Sequence, residues 1–107
     1  MRRGELVTVV LKGDCGKPRP ALIVQSDLFD AHPSVTIMPV TSELRDTPLV
    51  RLDLAPSETN DLKRPSQVMI DKIHTVSRDR IGSVIGRLDD KQMVSVNRLM
   101  LVFLGLA

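Results

Sequence analysis

The chain has 107 residues, of which 42% are hydrophobic and 26% are charged, and its formal net charge is +2. This composition excludes a disordered chain, and the length predicts one domain over 1–107 with a core that needs no disulfides. The single cysteine, Cys15, excludes an internal disulfide, and no apolar run reaches the length of a membrane span, so we expect a cytoplasmic protein.

The first half of the chain predicts short strands separated by turns. Runs of β-branched and apolar residues between glycines, prolines and polar residues indicate this pattern. The predicted elements are, in chain order, strands over 6–11, 21–25 and 35–40, a turn over 12–16, and one helical turn over 26–30. Pro39 cannot donate a backbone hydrogen bond, so it indicates an edge or a bulge in the third strand.

The second half of the chain predicts further strands and then a helix, because the spacing of its apolar residues changes. It predicts a weak fourth strand over 49–54, a polar, mobile loop over 55–65, a fifth strand over 67–76 and a short sixth over 83–86. Asp89 and Gln92 have the spacing of a capping box, and apolar residues follow at helical spacing until Gly105 provides a stop. Because no strand–helix alternation occurs, we expect a mainly β, small barrel-like domain with one C-terminal helix.

One short motif, Lys17-Pro18-Arg19-Pro20, holds an arginine between two prolines just before the second predicted strand. Proline fixes its own φ and restricts the preceding residue, so the arginine side chain starts from a pre-organised position. A planar guanidinium matches two phosphate oxygens and keeps its charge. The motif therefore predicts a phosphate ligand, and the alternative is a surface arginine without a specific partner.

The charges are unevenly distributed along the sequence. Residues 1–20 carry five Lys or Arg against two acids, and residues 63–98 carry eight against four. Residues 21–62 carry two against seven. If the two basic flanks meet in space, they form a surface suited to a polyanion, and otherwise the charges form an ordinary solvated surface.

Four blocks of the sequence resemble the MazF/PemK toxins. The blocks are Arg3-Gly4-Glu5, Lys17 to Val24, Pro39-Val40-Thr41-Ser42 and Val68 to Val76, in the order and approximate spacing of that family. The resemblance implies an SH3-like barrel that dimerises, cleaves single-stranded RNA without a metal or other cofactor, and is silenced by an acidic, partly disordered antitoxin. The working arginine and threonine of the family fall on Arg19 and Thr41.

The resemblance and the chemistry together give a set of candidate site residues. Arg19 and Thr41 would donate to the scissile phosphate, whose charge grows as the ribose 2′-OH attacks. Asp71 is the candidate general base, although in a continuous strand it shares a face with core-like residues, and a buried aspartate bonded to the backbone is the alternative. The candidate RNA contacts are Lys17, Ser42, His74 and Thr75. In that strand His74 would face away from Asp71.

Some features depart from the family. The loop before Lys17 is shorter than in most relatives, Met69 stands where some relatives have arginine, and His74 replaces another arginine. Only Phe29 and Phe103 are aromatic, so base stacking cannot supply most of the RNA affinity. We therefore expect recognition through hydrogen bonds and basic side chains.

Two alternative functions remain open on the sequence. The segments 24–29 and 103–107 also resemble CcdB gyrase poisons, which bind DNA gyrase and do not cleave RNA. Those proteins use a tryptophan near the C-terminus, and Leu104 takes its place here. A third interpretation is an RNA-binding protein whose nuclease site has decayed.

Overall fold

The computed structural model describes residues 1–13 and 15–107, so Asp14 of the predicted 12–16 turn lies outside the described residues. Within those ranges the chain forms seven strands and one α-helix. The strands are β1 (Glu5–Val10), β2 (Pro18–Ile23), β3 (Ser34–Thr41), β4 (Arg51–Leu54), β5 (Ser66–Met69), β6 (His74–Ser77) and β7 (Ile81–Arg87), and the helix is α1 (Asp90–Phe103). Short 3₁₀ turns lie at Asp27–Phe29, as predicted, and at Ile70–Lys72 and Arg78–Arg80.

The strands form one antiparallel sheet in the order β4-β5-β3-β2-β1-β7, with β6 also paired to β3. This confirms the mainly β fold with a C-terminal helix. The path of paired strands in the described chain has two ends, at β4 and β7, so the sheet is not closed into the expected barrel. Because β3 pairs with three strands, it lies at the centre of the sheet, and the prediction of an edge at Pro39 is wrong.

The predicted continuous strand over 67–76 is also wrong, because it is divided into β5, a 3₁₀ turn and β6. The break lies beside Pro39: Ile37 pairs with His74 of β6, whereas Val40 pairs with Val68 of β5. Pro39 has no N–H to donate at the point where β3 changes partner. The five residues between Val68 and His74 therefore leave the ladder, and the 3₁₀ turn Ile70–Lys72 takes up the excess length.

Two hydrophobic clusters lie on opposite sides of the central strands. Successive side chains alternate across a sheet, so Leu6, Leu22 and Met38 lie in one cluster. Their neighbours Val7, Ala21 and Ile37 lie in the other. Both sets are fully buried, which explains why β1, β2 and β3 are nearly continuous apolar runs.

Helix α1 covers the first of these clusters. The predicted capping box is confirmed: the Gln92 N–H donates to Asp89 Oδ1 at 2.7 Å, and the Asp89 N–H donates to Gln92 Oε1 at 2.9 Å. Val96 is fully buried, and the other packing residues are Met93, Leu99 and Met100. The helix ends at Phe103, and Gly105 then adopts a φ of 74°, as its predicted role as a stop requires.

Candidate functional site

A pocket opens where β2 and β3 stop pairing. The paired residues end at Ala21 and Pro39, although β2 begins at Pro18 and β3 continues to Thr41. The Val24 N–H donates to the Thr36 carbonyl of β3. The backbone N–H groups of the even-numbered positions on β2 therefore also point toward β3. Pro18 and Pro20 occupy the next such positions and have no N–H. The two prolines therefore stop the ladder on the side facing β3.

The same alternation keeps Arg19 in the sheet. The backbone N–H groups of odd-numbered residues on β2 point toward β1, and Arg19 pairs there with Val9. The second strand thus begins at Pro18 rather than at the predicted residue 21, and Arg19 lies within it rather than at its mouth. The proline–arginine–proline pattern leaves the arginine fixed by β1 while the gap toward β3 stays open.

The gap forms a pocket of about 480 Å³, within the range typical of ligand sites. It contains Arg19 on β2, Thr41 at the end of β3, and Ser42 directly after it. Its lining is completed by Thr8, Leu11, Pro18, Pro20, Pro39, Val40, Asp61, Leu62, Lys63, Arg64, Ser66, Met69 and Ile85. The structure therefore brings together Arg19 and Thr41, two of the three residues that the sequence predicts to be catalytic, whereas the third, Asp71, does not line the pocket.

The Thr41 side chain is held by the chain that follows it. Its hydroxyl oxygen accepts a hydrogen bond from the Glu43 N–H at 3.0 Å. A threonine hydroxyl has one proton to donate besides the lone pairs with which it accepts. That proton remains available for an oxygen bound in the pocket.

Gln67, which is not among the residues predicted from the sequence, fixes the loop that leaves Thr41. It pairs with Thr41 across β3 and β5 and is only 6% exposed. Its Oε1 accepts from the Arg45 N–H and from Arg51 Nη1, both at 3.0 Å. Its Nε2 donates to the Arg45 carbonyl at 3.0 Å and to Asp53 Oδ1 at 2.8 Å. A glutamine within an apolar strand was the available signal, since a buried amide requires partners.

The second wall of the pocket comes from the loop between β4 and β5. We call Lys63 and Arg64 the basic wall, since both line the pocket and carry positive charge. Asp61 lines the pocket as well, and its Oδ1 lies 3.1 Å from Lys63 Nζ. With Arg19, the described pocket lining has three cations and one carboxylate. One cation of the first basic flank and two of the second thus meet at this pocket, in the direction that one of the two interpretations of the charge pattern predicts.

Asn60 sets the conformation of this loop, which the sequence predicts to be mobile. It is 1% exposed, and its Oδ1 accepts from the Ser57 N–H at 2.9 Å and from the Leu62 N–H at 3.0 Å. Its Nδ2 donates to the Ala55 carbonyl at 2.9 Å. Asp61 follows with a φ of 54°, a left-handed conformation that aspartate tolerates better than most residues. The basic wall is therefore attached to a hydrogen-bonded loop.

The remaining candidate residues do not line the pocket. Asp71 lies in the 3₁₀ turn between β5 and β6, and its Oδ1 is buried without a hydrogen-bond partner. His74 and Thr75 are exposed on β6, with His74 Nδ1 2.8 Å from the Lys72 carbonyl oxygen. The Thr75 hydroxyl lies 2.9 Å from that of Thr36. Lys17 is exposed next to Pro18, at the margin of the pocket.

Two kinds of feature are absent from the described residues. No helix within 1–13 and 15–107 is both long and apolar enough to cross a membrane. Over the same ranges, no group of three or more histidine, cysteine, aspartate or glutamate side chains is placed to hold a metal ion.

Comparison with known proteins identifies the relatives of the chain. Residues 2–104 match the model of the PemK-like, MazF-like toxins of type II toxin–antitoxin systems. The chain is 45% identical over 108 residues to the probable endoribonuclease MazF of Mycolicibacterium smegmatis, covering 100% of this chain and 99% of the relative.

Solved structures show the same fold at lower sequence identity. A mycobacterial endoribonuclease in complex with its cognate antitoxin superposes with a TM-score of 0.83 at 24% identity, covering 100% of this chain and 97% of that one. The Mycobacterium tuberculosis toxin MazF-mt6 gives a TM-score of 0.83 at 24% identity, covering 96% of this chain and 98% of the toxin. The comparisons therefore favour the MazF-like interpretation over the CcdB-like one.

Proposed function

Since the chain belongs to the PemK-like, MazF-like toxins of type II toxin–antitoxin systems, we propose that it cleaves single-stranded RNA without a metal ion. Relatives of the chain are named endoribonucleases, which supports the class of reaction. The observation that carries the assignment to this site is the presence of Arg19 and Thr41 in one pocket.

The reaction needs charge stabilisation at one phosphorus atom. The ribose 2′-oxygen attacks the adjacent phosphorus while the bond to the 5′-oxygen of the next nucleotide breaks. The 2′-OH proton is released, the leaving 5′-oxygen takes up a proton, and the products are a 2′,3′-cyclic phosphate and a 5′-OH. Negative charge increases on the non-bridging oxygens during the attack, so fixed donors aimed at them stabilise the transition state more than the ground state.

Arg19 and Thr41 supply these donors in the proposal. The guanidinium binds two oxygens with charge-assisted hydrogen bonds, and its attachment to β2 between two prolines limits reorganisation. The Thr41 hydroxyl, oriented by the Glu43 N–H, donates to one oxygen. Ser42 lines the pocket beside Thr41 and would contact the ribose or a phosphate of the same nucleotide.

The other candidate residues have different positions relative to the reacting atoms. A general base must lie within hydrogen-bond reach of the 2′-OH, directly or through one water. Asp71 does not line the pocket, so we propose no role for it in the reaction. His74 pairs with Ile37, four residues from Thr41 and about 13 Å along β3. His74, Thr75 and Lys17 would therefore contact only RNA that extends beyond the pocket.

Membership of a toxin–antitoxin family also implies partners. We propose that an acidic, partly disordered antitoxin competes with RNA for the positively charged pocket, since both partners are anionic. A homodimer is the second proposed assembly, because α1 and the residues after it expose apolar side chains. These residues are Leu101, Val102, Phe103, Leu104 and Leu106, between 40% and 71% exposed. A two-fold dimer is the commonest way to bury such a surface.

The test uses the purified full-length chain and a long single-stranded RNA in excess EDTA. We expect cleavage at defined sites, with 5′ ends that polynucleotide kinase labels directly because they carry a hydroxyl. Arg19→Ala and Thr41→Val should each reduce the rate by about 10²–10³. Arg98→Ala, which removes an exposed arginine of α1 outside the pocket, is the matched control and should cleave like the native chain.

Three results would contradict the proposal. If RNA stays intact in EDTA and is cleaved once a divalent ion is added, the reaction depends on a metal ion. Equal cleavage rates for Arg19→Ala and Arg98→Ala would contradict the assignment of the reaction to this pocket. Intact RNA under all conditions together with inhibited gyrase supercoiling would instead support the CcdB-like alternative.

A further inference from the structure

The basic wall is a part of the pocket that the proposed chemistry does not use. Lys63 and Arg64 line the pocket, yet the phosphate-stabilising roles fall on Arg19 and Thr41. The wall is built rather than incidental, because the buried Asn60 side chain makes three hydrogen bonds within the same loop. The loop is also fastened to β7, where the Arg87 N–H donates to the Thr59 carbonyl at 3.0 Å.

The order of the strands separates the basic wall from Arg19. Strands β2 and β5 lie on either side of β3, so their backbones are about 9–10 Å apart. The start of β2, the end of β3 and the start of β5 meet at one end of the sheet, because these neighbours are antiparallel. Arg19 therefore reaches the pocket from one side of Thr41, and Lys63 and Arg64 precede the strand on the other side.

We propose that Lys63 and Arg64 bind an RNA phosphate next to the scissile one, so that the pocket holds one nucleotide between two cationic sites. This rests on the proposed ribonuclease function. The rest of the pocket lining is mainly apolar, with Pro20, Leu62 and Ile85 among its residues, and it offers a surface for the base or ribose of that nucleotide.

The pairing of Lys63 with Asp61 is compatible with this role. The two side chains are 82% and 55% exposed, and an exposed ion pair contributes little to stability. An incoming phosphate can therefore replace the Asp61 carboxylate as the partner of the Lys63 ammonium without disturbing the core. The carboxylate would then compete with the phosphate, so Asp61 lowers the affinity for RNA.

Contacts to a phosphate that does not react have a distinct kinetic signature. They form equally in the ground state and the transition state, so their loss raises KM and leaves kcat nearly unchanged. They also release counterions, and each contact to single-stranded nucleic acid contributes about 0.7 to the slope of log affinity against log salt. Neither effect is expected from a residue that only stabilises the fold.

The test compares the double variant K63Q/R64Q with the control K91Q/R98Q, which removes the same charge from exposed positions on α1. Binding of a single-stranded oligonucleotide of mixed sequence is measured from low to high salt, in an Arg19→Ala background so that it is not cut. Cleavage kinetics are measured in the native background on an RNA that contains a mapped cleavage site.

For K63Q/R64Q we expect a salt slope smaller by about 0.7, because the two side chains bind one phosphate. We expect a KM about tenfold higher and a kcat within about twofold of the native value. The control and the charge-conserving variant K63R/R64K should keep the native slope and KM. Equal salt slopes for K63Q/R64Q and K91Q/R98Q, or a loss confined to kcat, would overturn the inference.

The outcome separates this inference from the proposed function. RNA binding with the predicted salt slopes but without cleavage would contradict the ribonuclease proposal and support the phosphate site. Cleavage that depends on Arg19 but has the same KM in both double variants would support the ribonuclease proposal and contradict the phosphate site.

Discussion

Substituting Gly86 by alanine tests how the β4–β5 loop is held against the sheet. A Cβ atom added at Gly86 would lie 2.5 Å from the Thr59 carbonyl oxygen and 2.6–2.7 Å from the carbonyl group of Asn60. All three contacts are with backbone atoms, which cannot rotate away as a side chain can. The loop must therefore move, and overpacking of this kind costs about 1–3 kcal/mol.

Gly82 on the same strand provides a matched control. Its added Cβ would clash with Thr8 Oγ1, but that atom belongs to a side chain. Rotation of Thr8 would relieve the contact and lose the hydrogen bond from the Ser83 N–H, at a cost of about 1 kcal/mol. Gly86→Ala should thus destabilise the chain more than Gly82→Ala.

The assay is urea unfolding of the native chain and the two variants, followed by far-ultraviolet circular dichroism. We expect a lower midpoint with an unchanged slope for Gly86→Ala, and a higher KM for RNA because the basic wall moves with the loop. Alanine otherwise stabilises a site with ordinary backbone dihedrals by about 0.4–1 kcal/mol. A Gly86→Ala variant as stable as the native chain would refute the proposed packing of the loop.

Three further substitutions test other parts of the site. Gln67→Met removes four hydrogen bonds from a buried amide and should lower the free energy of unfolding by about 2–3 kcal/mol in urea. Gln25→Met, at a half-buried position, should cost less, and equal losses would contradict the role of the buried network. Asp61→Asn should lower the KM for RNA by at least twofold in steady-state kinetics, whereas a raised KM would show that the carboxylate assists binding. Asp71→Asn should keep kcat within about threefold of the native value, and a loss of 10²-fold or more would identify Asp71 as the general base.

Much of the fold was predictable because its signals are local. The strands β1 and β3 are nearly continuous β-branched or apolar runs, and the capping box of Asp89 and Gln92 marks the start of α1. These features depend on neighbouring residues, so the sequence alone indicates them. Arg19 and Thr41 were predicted from motifs, and the structure places both in the same pocket.

The incorrect predictions depend on contacts between distant segments. Pro39 reads as an edge residue on its own, but it lies where central strand β3 changes partner from β6 to β5. That change interrupts the apparent strand over 67–76 and moves Asp71 into a turn. Strand alternation does not continue through the 3₁₀ turn, and the buried Oδ1 of Asp71 lacks the backbone partner that the alternative interpretation expects.

The β4–β5 loop shows why part of the site was missed. Its polar composition and prolines are typical of a mobile loop, and nothing local indicates that Asn60 is buried. The burial arises because Thr59 and Asn60 pack on Gly86, which is 26 residues further along the chain. Lys63 and Arg64 follow Asn60 in this loop, and both line the pocket while their side chains stay exposed.

The most direct test of the central assignment is a structure of the native chain with a short RNA that carries a 2′-O-methyl group at a mapped cleavage site. The methyl group removes the nucleophile and leaves the phosphate in place. We predict that the non-bridging oxygens of that phosphate lie about 2.7–2.9 Å from the Arg19 guanidinium nitrogens, with the Thr41 hydroxyl also in hydrogen-bond contact. A scissile phosphate bound outside the pocket, with neither residue in contact, would contradict the account.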